Sequence, residues 1–164
     1  SVTTISTPHG GTPLAGFALR HHENNTLMGK LLATFEFSPN KKAYIKDVTM
    51  LESGNSFISS LRNKASIPIY SISNYKVNFY NVAMEVTSRF LAAELREYYP
   101  NHSELNDGIV PTESAIFGYH LGTIEADHME SACILYSQQT AGCRKLLALL
   151  IPHLKWLTWG HLKR

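Results

Sequence analysis

Residues 67–73 read Ile-Pro-Ile-Tyr-Ser-Ile-Ser, and they open the stretch of the chain that decides its fold. This run is rich in β-branched and aromatic residues, which predicts a strand with its proline near the beginning. Over residues 82–98 the apolar side chains recur every three to five positions, which predicts a helix. Gly-Thr-Ile-Glu-Ala at residues 122–126 predicts a further short strand. Strands that alternate with helices indicate an α/β architecture, with a mostly parallel sheet flanked by helices.

The rest of the chain fits this architecture as one domain over residues 1–164. Residues 1–6 are rich in β-branched types and predict a strand, which a turn with two prolines and two glycines follows. Residues 17–65 predict short helices joined by loops. Residues 129–151 predict a helix that Pro152 ends or kinks. Because the chain opens directly on a strand, we expect further sequence upstream of it.

Composition excludes several classes of protein. The chain has 44% apolar and 17% charged residues, which favours a folded segment over a disordered one. A net charge of +2 without basic runs excludes a nucleic-acid partner. No signal peptide is visible. The two cysteines, Cys133 and Cys143, predict reduced, buried thiols and an intracellular setting.

Two residues, Asp107 and His128, are candidates for a catalytic acid–histidine pair. Asp107 lies in Asn-Asp-Gly-Ile-Val-Pro at residues 106–111, and His128 directly follows the strand at residues 122–126. Histidine titrates near neutral pH, and a carboxylate against its Nδ1–H fixes the tautomer. An acid that precedes a histidine, each on a loop after a strand, is the chain order of α/β-hydrolases. From spacing alone, a plain Asp-Gly turn and a surface histidine remain the alternative.

The sequence around these residues resembles the triacylglycerol lipase family of α/β-hydrolases. Residues 104–131 contain Asn-Asp-Gly-Ile-Val, Ser-Ala, Leu-Gly and Asp-His in the family's order, and residues 6–13, Ser-Thr-Pro-His-Gly-Gly-Thr-Pro, are similar to its segment after the nucleophile. Fungal intracellular lipases, some of them mitochondrial, are the most similar type. The resemblance spans roughly residues 1–132. It implies a serine lipid-ester hydrolase with Asp107 and His128 in its triad, an acylglycerol or other apolar ester as substrate, and part of a helical cap within residues 17–65.

One part of the family's pattern is absent. No Gly-x-Ser-x-Gly motif occurs, and the nearest string, Gly-Asn-Ser-Phe-Ile at residues 54–58, lacks the second glycine. The resemblance therefore implies the C-terminal half of an α/β-hydrolase fold, which is inactive or nearly so by itself. A non-catalytic half-domain that pairs with another chain is the main alternative. An acyltransferase on the same fold is a further one.

No cofactor and no metal ion are expected. His-His-Glu at residues 21–23 lacks the His-Glu-x-x-His spacing of a helical zinc site. Asp127 and Glu130 lie beside His128, but they supply too few oxygens for calcium.

The end of the chain, residues 133–164, diverges from the family. Residues 144–164 contain five cations and no acid, namely Arg144, Lys145, Lys155, Lys163 and Arg164. Trp156 and Trp159 lie among them. Such a segment predicts either a final helix packed on the sheet or an amphipathic helix on a lipid or membrane surface. It is too short and interrupted to span a bilayer.

Overall fold

Three parallel strands form the sheet in the part of the chain that the computed structural model describes, residues 1–23, 53, 60, 66–76, 82–133 and 141–161. The strands are β1 (Val2–Ile5), β2 (Ile69–Tyr75) and β3 (Tyr119–Glu125), in the order β1-β2-β3. Ile5 lies opposite Ile72, which in turn lies opposite Gly122 on β3. The predicted parallel α/β architecture is confirmed at this level, and the hydrolase half-domain stays a prediction.

Within the described ranges, four α-helices with defined bounds accompany these strands. They are α1 (Pro13–Glu23), α2 (Val82–Tyr98), α3 (His128–Ser131) and α4 (Ala141–His161), and a 3-10 turn spans Glu113–Ala115. The helix predicted over residues 82–98 is confirmed. α1 packs against α2, where the rings of Phe17 and Phe90 lie 5.2 Å apart. Most of the cap region predicted within residues 17–65 lies outside the described residues.

Helix α4 covers one face of the sheet. The buried cluster there combines Ile72 and Ile124 from neighbouring strands with Ala126 and with Leu146 of α4. Full burial of an isoleucine or leucine side chain contributes about 1.5–3 kcal/mol. Apolar burial therefore fixes α4 against the end of β3, beside Asp127, the residue that precedes α3.

The helix predicted over residues 129–151 is wrong in its bounds. α3 ends at Ser131, and α4 continues through Pro152 to His161. A proline inside a helix removes one hydrogen bond and costs about 3 kcal/mol. Contacts beyond the proline offset this cost, since His153 Nε2 lies 3.3 Å from Thr3 Oγ1 and its ring lies 4.3 Å from that of Tyr70.

The two cysteines form a disulfide, so the prediction of reduced thiols is wrong. Cys133 and Cys143 have Cα atoms 5.4 Å apart, within the range that a disulfide bridges. Cys133 adopts a left-handed conformation (φ 56°), and the first turn of α4 places Cys143 beside it. The spacing of the two cysteines in the sequence does not predict this geometry. The intracellular expectation, which rested on reduced cysteines, loses that support.

Among the described residues, no helix has the length and apolarity needed to cross a bilayer.

Candidate active site

Asp107 lies in a tight loop between α2 and the 3-10 turn. Asn106 and Pro111 pair across this loop, and Gly108 turns it with a φ of +99°. Asp107 Oδ1 accepts hydrogen bonds from the backbone N–H groups of Ile109 (3.1 Å) and Val110 (2.8 Å). The Asp107 side chain is fully buried. The loop therefore holds one carboxylate oxygen and leaves the other, Oδ2, available to side chains.

His128 meets that second oxygen. Its Nδ1 lies 2.9 Å from Asp107 Oδ2, and its backbone N–H donates to Asp107 O at 3.0 Å. The His128 side chain is 31% exposed, whereas that of Asp107 is 0% exposed. The structure thus brings the two predicted residues together, with the carboxylate inside and the imidazole partly at the surface.

The electrostatics of this pair favour a charged imidazole. Burial lowers the pKa of His128, but the hydrogen bond that His128 donates to Asp107 and the charges of Asp107 and Asp127 together outweigh it. The net result is a pKa of His128 raised above its ordinary value. A histidine held this way retains a proton more readily than a free imidazole.

Asp127 positions His128 by capping α3. Its Oδ1 accepts the backbone N–H groups of Met129 (2.8 Å) and Glu130 (2.7 Å), and Glu130 Oε2 accepts the Asp127 N–H in return at 3.2 Å. This capping box starts α3 at His128. Asp127 Oδ2 is buried and has no hydrogen-bond partner among the described residues. Both carboxylates serve the helix start, and Asp127 adds negative charge near the imidazole.

Ser6 is a site residue that the sequence interpretation missed. It directly follows β1 and is buried, and its Oγ donates a hydrogen bond to Asp107 Oδ2. Its φ of +46° lies in the left-handed region, which is uncommon for a residue other than glycine. Its position was the available signal, because in a parallel sheet the residue after β1 reaches the same edge as the residues that follow β3.

The turn after β1 packs on the Asp107 loop. Thr12 Oγ1 donates to Ile109 O at 2.7 Å, and Gly10 N–H donates to Ser114 Oγ at 3.0 Å. His9 Nε2 lies 2.9 Å from Thr4 Oγ1, and its ring stacks on Phe117. The two segments that resemble the lipase family therefore adjoin in space, and the contacts of His9 stabilise the turn.

A cavity of about 240 Å³ opens beside His128. Its lining is mostly apolar and comprises Ile5, His128, Ser131, Ala132, Cys133 and Leu146. An imidazole at the wall of an apolar cavity places a proton-transfer group next to space for a small apolar group.

No protein-family model matches the chain, and no curated protein matches it. In the described ranges, no group of three or more His, Cys, Asp or Glu side chains is arranged to hold a metal ion. The geometry around Asp107 and His128 is therefore the observation that bears on the chemistry of this site.

Proposed function

We propose that this chain supplies the acid and the base of a serine ester hydrolase that acts on lipid esters. The observation that carries the proposal is the 2.9 Å contact between His128 Nδ1 and the fully buried Asp107 Oδ2. In a catalytic triad the buried carboxylate orients the histidine and stabilises the imidazolium. Three further features support the proposal: the loop-held carboxylate, the raised pKa of His128, and the resemblance of residues 104–131 to the lipase family.

The proposed reaction assigns each nitrogen of His128 a role. Because Nδ1 faces Asp107, Nε2 takes the proton of a serine hydroxyl as its oxygen attacks the ester carbonyl. The imidazolium then returns this proton to the leaving alcohol, and an acyl-serine remains. Water, deprotonated by the same Nε2, attacks the acyl-serine, and the imidazolium returns that proton to the serine oxygen as the acid is released. An alcohol in place of water would give acyl transfer, so the acceptor distinguishes a hydrolase from an acyltransferase.

The cavity indicates the kind of acyl group. Ile5, Ala132 and Leu146 contribute apolar surface close to His128, and no charged side chain other than the imidazole lines the cavity within the described part of the chain. A neutral, apolar acyl chain fits this lining, as in an acylglycerol. The family resemblance alone favours an intracellular location for the protein, in mitochondria or associated with lipid.

The nucleophile is not identified within residues 1–164, since the sequence contains no Gly-x-Ser-x-Gly motif. The proposal therefore requires a serine elbow, and the oxyanion-hole amides beside it, from upstream sequence or from a partner chain. Loss of one oxyanion-hole donor alone costs about 10²–10³ in rate. We expect the 164-residue chain by itself to show no measurable hydrolysis of tributyrin.

The test compares this chain with a product extended by the in-frame coding sequence upstream of it. If that sequence encodes Gly-x-Ser-x-Gly, the extended protein should hydrolyse tributyrin. Asp107→Asn should lower kcat by about 10⁴ and His128→Ala by about 10⁶, as expected for members of a triad. His102→Ala, which changes an exposed histidine paired with Glu113, is the matched control and should leave the rate unchanged. Full activity of the His128→Ala protein would exclude the proposed role.

One observation favours the second candidate, a non-catalytic half-domain that pairs with another chain. Within the described ranges β1 bonds only to β2, so its other edge is unpaired, and Val2 on it is 44% exposed. Unpaired strand edges favour association with another strand. A start codon immediately before Ser1, with no serine elbow upstream, together with a stable complex in light scattering, would support this candidate over the enzyme.

A further inference from the structure

The last helix, α4, has two faces of different character. Cys143, Leu146 and His153 are buried on its inner side. On the outer side Leu147, Ile151 and Leu154 follow the i, i+4, i+7 spacing of a single helical stripe. Ile151 and Leu154 are each 46% exposed. We call the stripe of Leu147, Ile151 and Leu154 the outer stripe.

Two cations, Arg144 and Lys155, lie along one side of the outer stripe. Arg144, Lys145 and Lys155 are exposed, and α4 contains no aspartate or glutamate. Lys145 Nζ lies 2.9 Å from Glu125 Oε2 in an exposed ion pair. Exposed pairs of this kind contribute little to stability, so they yield readily to a stronger anionic partner. An apolar stripe with cations along one side complements a surface that is apolar inside and anionic outside.

We propose that α4 lies on an anionic phospholipid bilayer, with the outer stripe among the acyl chains and the flanking cations at the phosphates. This is how amphipathic helices bind in the plane of a membrane without spanning it. Each lysine or arginine near an anionic leaflet strengthens binding about fivefold. Burial of the sheet-facing side of α4 keeps the outer stripe in a fixed orientation, so the helix need not fold on contact. The proposal is independent of the proposed hydrolase chemistry.

Vesicle co-sedimentation of the whole 164-residue chain tests it. We expect binding to vesicles of equal parts phosphatidylserine and phosphatidylcholine. Binding to phosphatidylcholine alone should be much weaker, and about 1 M salt, where the Debye length is ~3 Å, should weaken binding to the anionic vesicles. The double variant Ile151→Asp/Leu154→Asp should bind at least about tenfold more weakly. Arg144→Gln and Lys155→Gln should each weaken binding about fivefold, to the anionic vesicles only.

Matched variants on another helix distinguish vesicle binding through the outer stripe from non-specific binding to vesicles. Val82→Asp changes an apolar side chain of α2 that is 69% exposed, and Arg89→Gln removes an exposed cation of the same helix. Both should bind as the unchanged chain does. Circular dichroism should show that every variant is folded, and a misfolded double variant would be replaced by Ile151→Ser.

Three results would overturn the proposal: no binding of the unchanged chain to anionic vesicles, equal binding by the outer-stripe variants, or equal loss in the α2 variants. A fourth is a concentration-dependent dimer that Ile151→Asp dissolves while vesicle binding is absent. That result would assign the outer stripe to a second copy of the chain.

Discussion

At the scale of single residues, the site depends on how one buried carboxylate is satisfied. Asp107 accepts backbone donors on Oδ1 and faces Ser6 and His128 with Oδ2. A buried carboxylate without such partners would cost several kcal/mol and would tend to bind a proton. The surrounding donors therefore satisfy both oxygens of Asp107, and Oδ2 accepts the hydrogen bond that orients the imidazole.

Asp107→Asn should lower the pKa of His128. The amide removes the negative charge, and its NH₂ group can donate to Nδ1, which disfavours the protonated ring. NMR titration of the His128 ring protons measures the change. Glu113→Gln, which alters the surface partner of His102, is the control and should leave the His128 titration unchanged.

The same change should alter the pH dependence of stability. Because the folded-state pKa of His128 is raised, its contribution is fully present below the unfolded value of about 6.5 and is lost as pH rises through the folded pKa. Urea unfolding across this window should show the decline in the unchanged chain and a flatter profile in Asp107→Asn. Identical slopes in both proteins would contradict the assigned coupling.

Ser6→Ala should lower the free energy of unfolding by about 1.5–3 kcal/mol, because it removes a hydrogen bond to a charged group. The pKa of His128 should rise further, since Asp107 Oδ2 then shares its charge with one donor fewer. Ser6→Gly removes the same hydroxyl but suits the left-handed φ of this position, so it should lose less stability. NMR titration and urea unfolding of both variants distinguish the hydroxyl from the backbone. Unchanged titration of His128 in both would contradict the role of Ser6.

At the scale of elements, the sequence predicted those strands and helices that depend on the type and spacing of nearby side chains. The strand after residue 67 and the helix over residues 82–98 follow from side-chain type and period, and the structure confirms both. The approach of Asp107 to His128 followed from loops after neighbouring strands. The sequence did not predict that α3 ends at Ser131. This end depends on the conformation of Cys133 and on the tertiary contacts of the residues around it.

Gly142 illustrates such a contact, and Gly142→Ala should destabilise the fold. Helix propensity alone predicts a gain of up to about 1 kcal/mol from alanine. However, an added Cβ would lie 2.7 Å from Ala126 Cβ and 3.1 Å from Glu130 Cβ, neither of which is the end of a flexible side chain. We expect a net loss of about 1–3 kcal/mol in urea unfolding, as for overpacked cores. Ala148→Gly, at an exposed position of the same helix, measures how much alanine and glycine differ in helix propensity where packing plays no part. A stabilised Gly142→Ala protein would contradict the close packing.

At the scale of the whole molecule, the site forms where separate segments of the chain converge. β1 brings Ser6, the loop after α2 brings Asp107, and the residues after β3 bring His128. The disulfide then joins the segment after α3 to α4, which covers the sheet beside this site. Only the last of these connections is covalent, so it can be removed without altering Ser6, Asp107 or His128.

Reduction of the disulfide should therefore lower stability while leaving the Asp107–His128 pair in place. Cys133 and Cys143 are ten residues apart, and closure of a loop this short stabilises the fold by about 2–3 kcal/mol. Urea unfolding with and without dithiothreitol should show this difference. The double variant Cys133→Ser/Cys143→Ser should match the reduced chain and be insensitive to the reductant. The raised pKa of His128 should persist in it, because Asp107 and Asp127, which raise that pKa, lie outside the disulfide loop. Alkylation of both cysteines in denaturant without prior reduction would contradict the bond. If the pKa of His128 instead falls on reduction, the disulfide between Cys133 and Cys143 also sets the geometry of the Asp107–His128 pair.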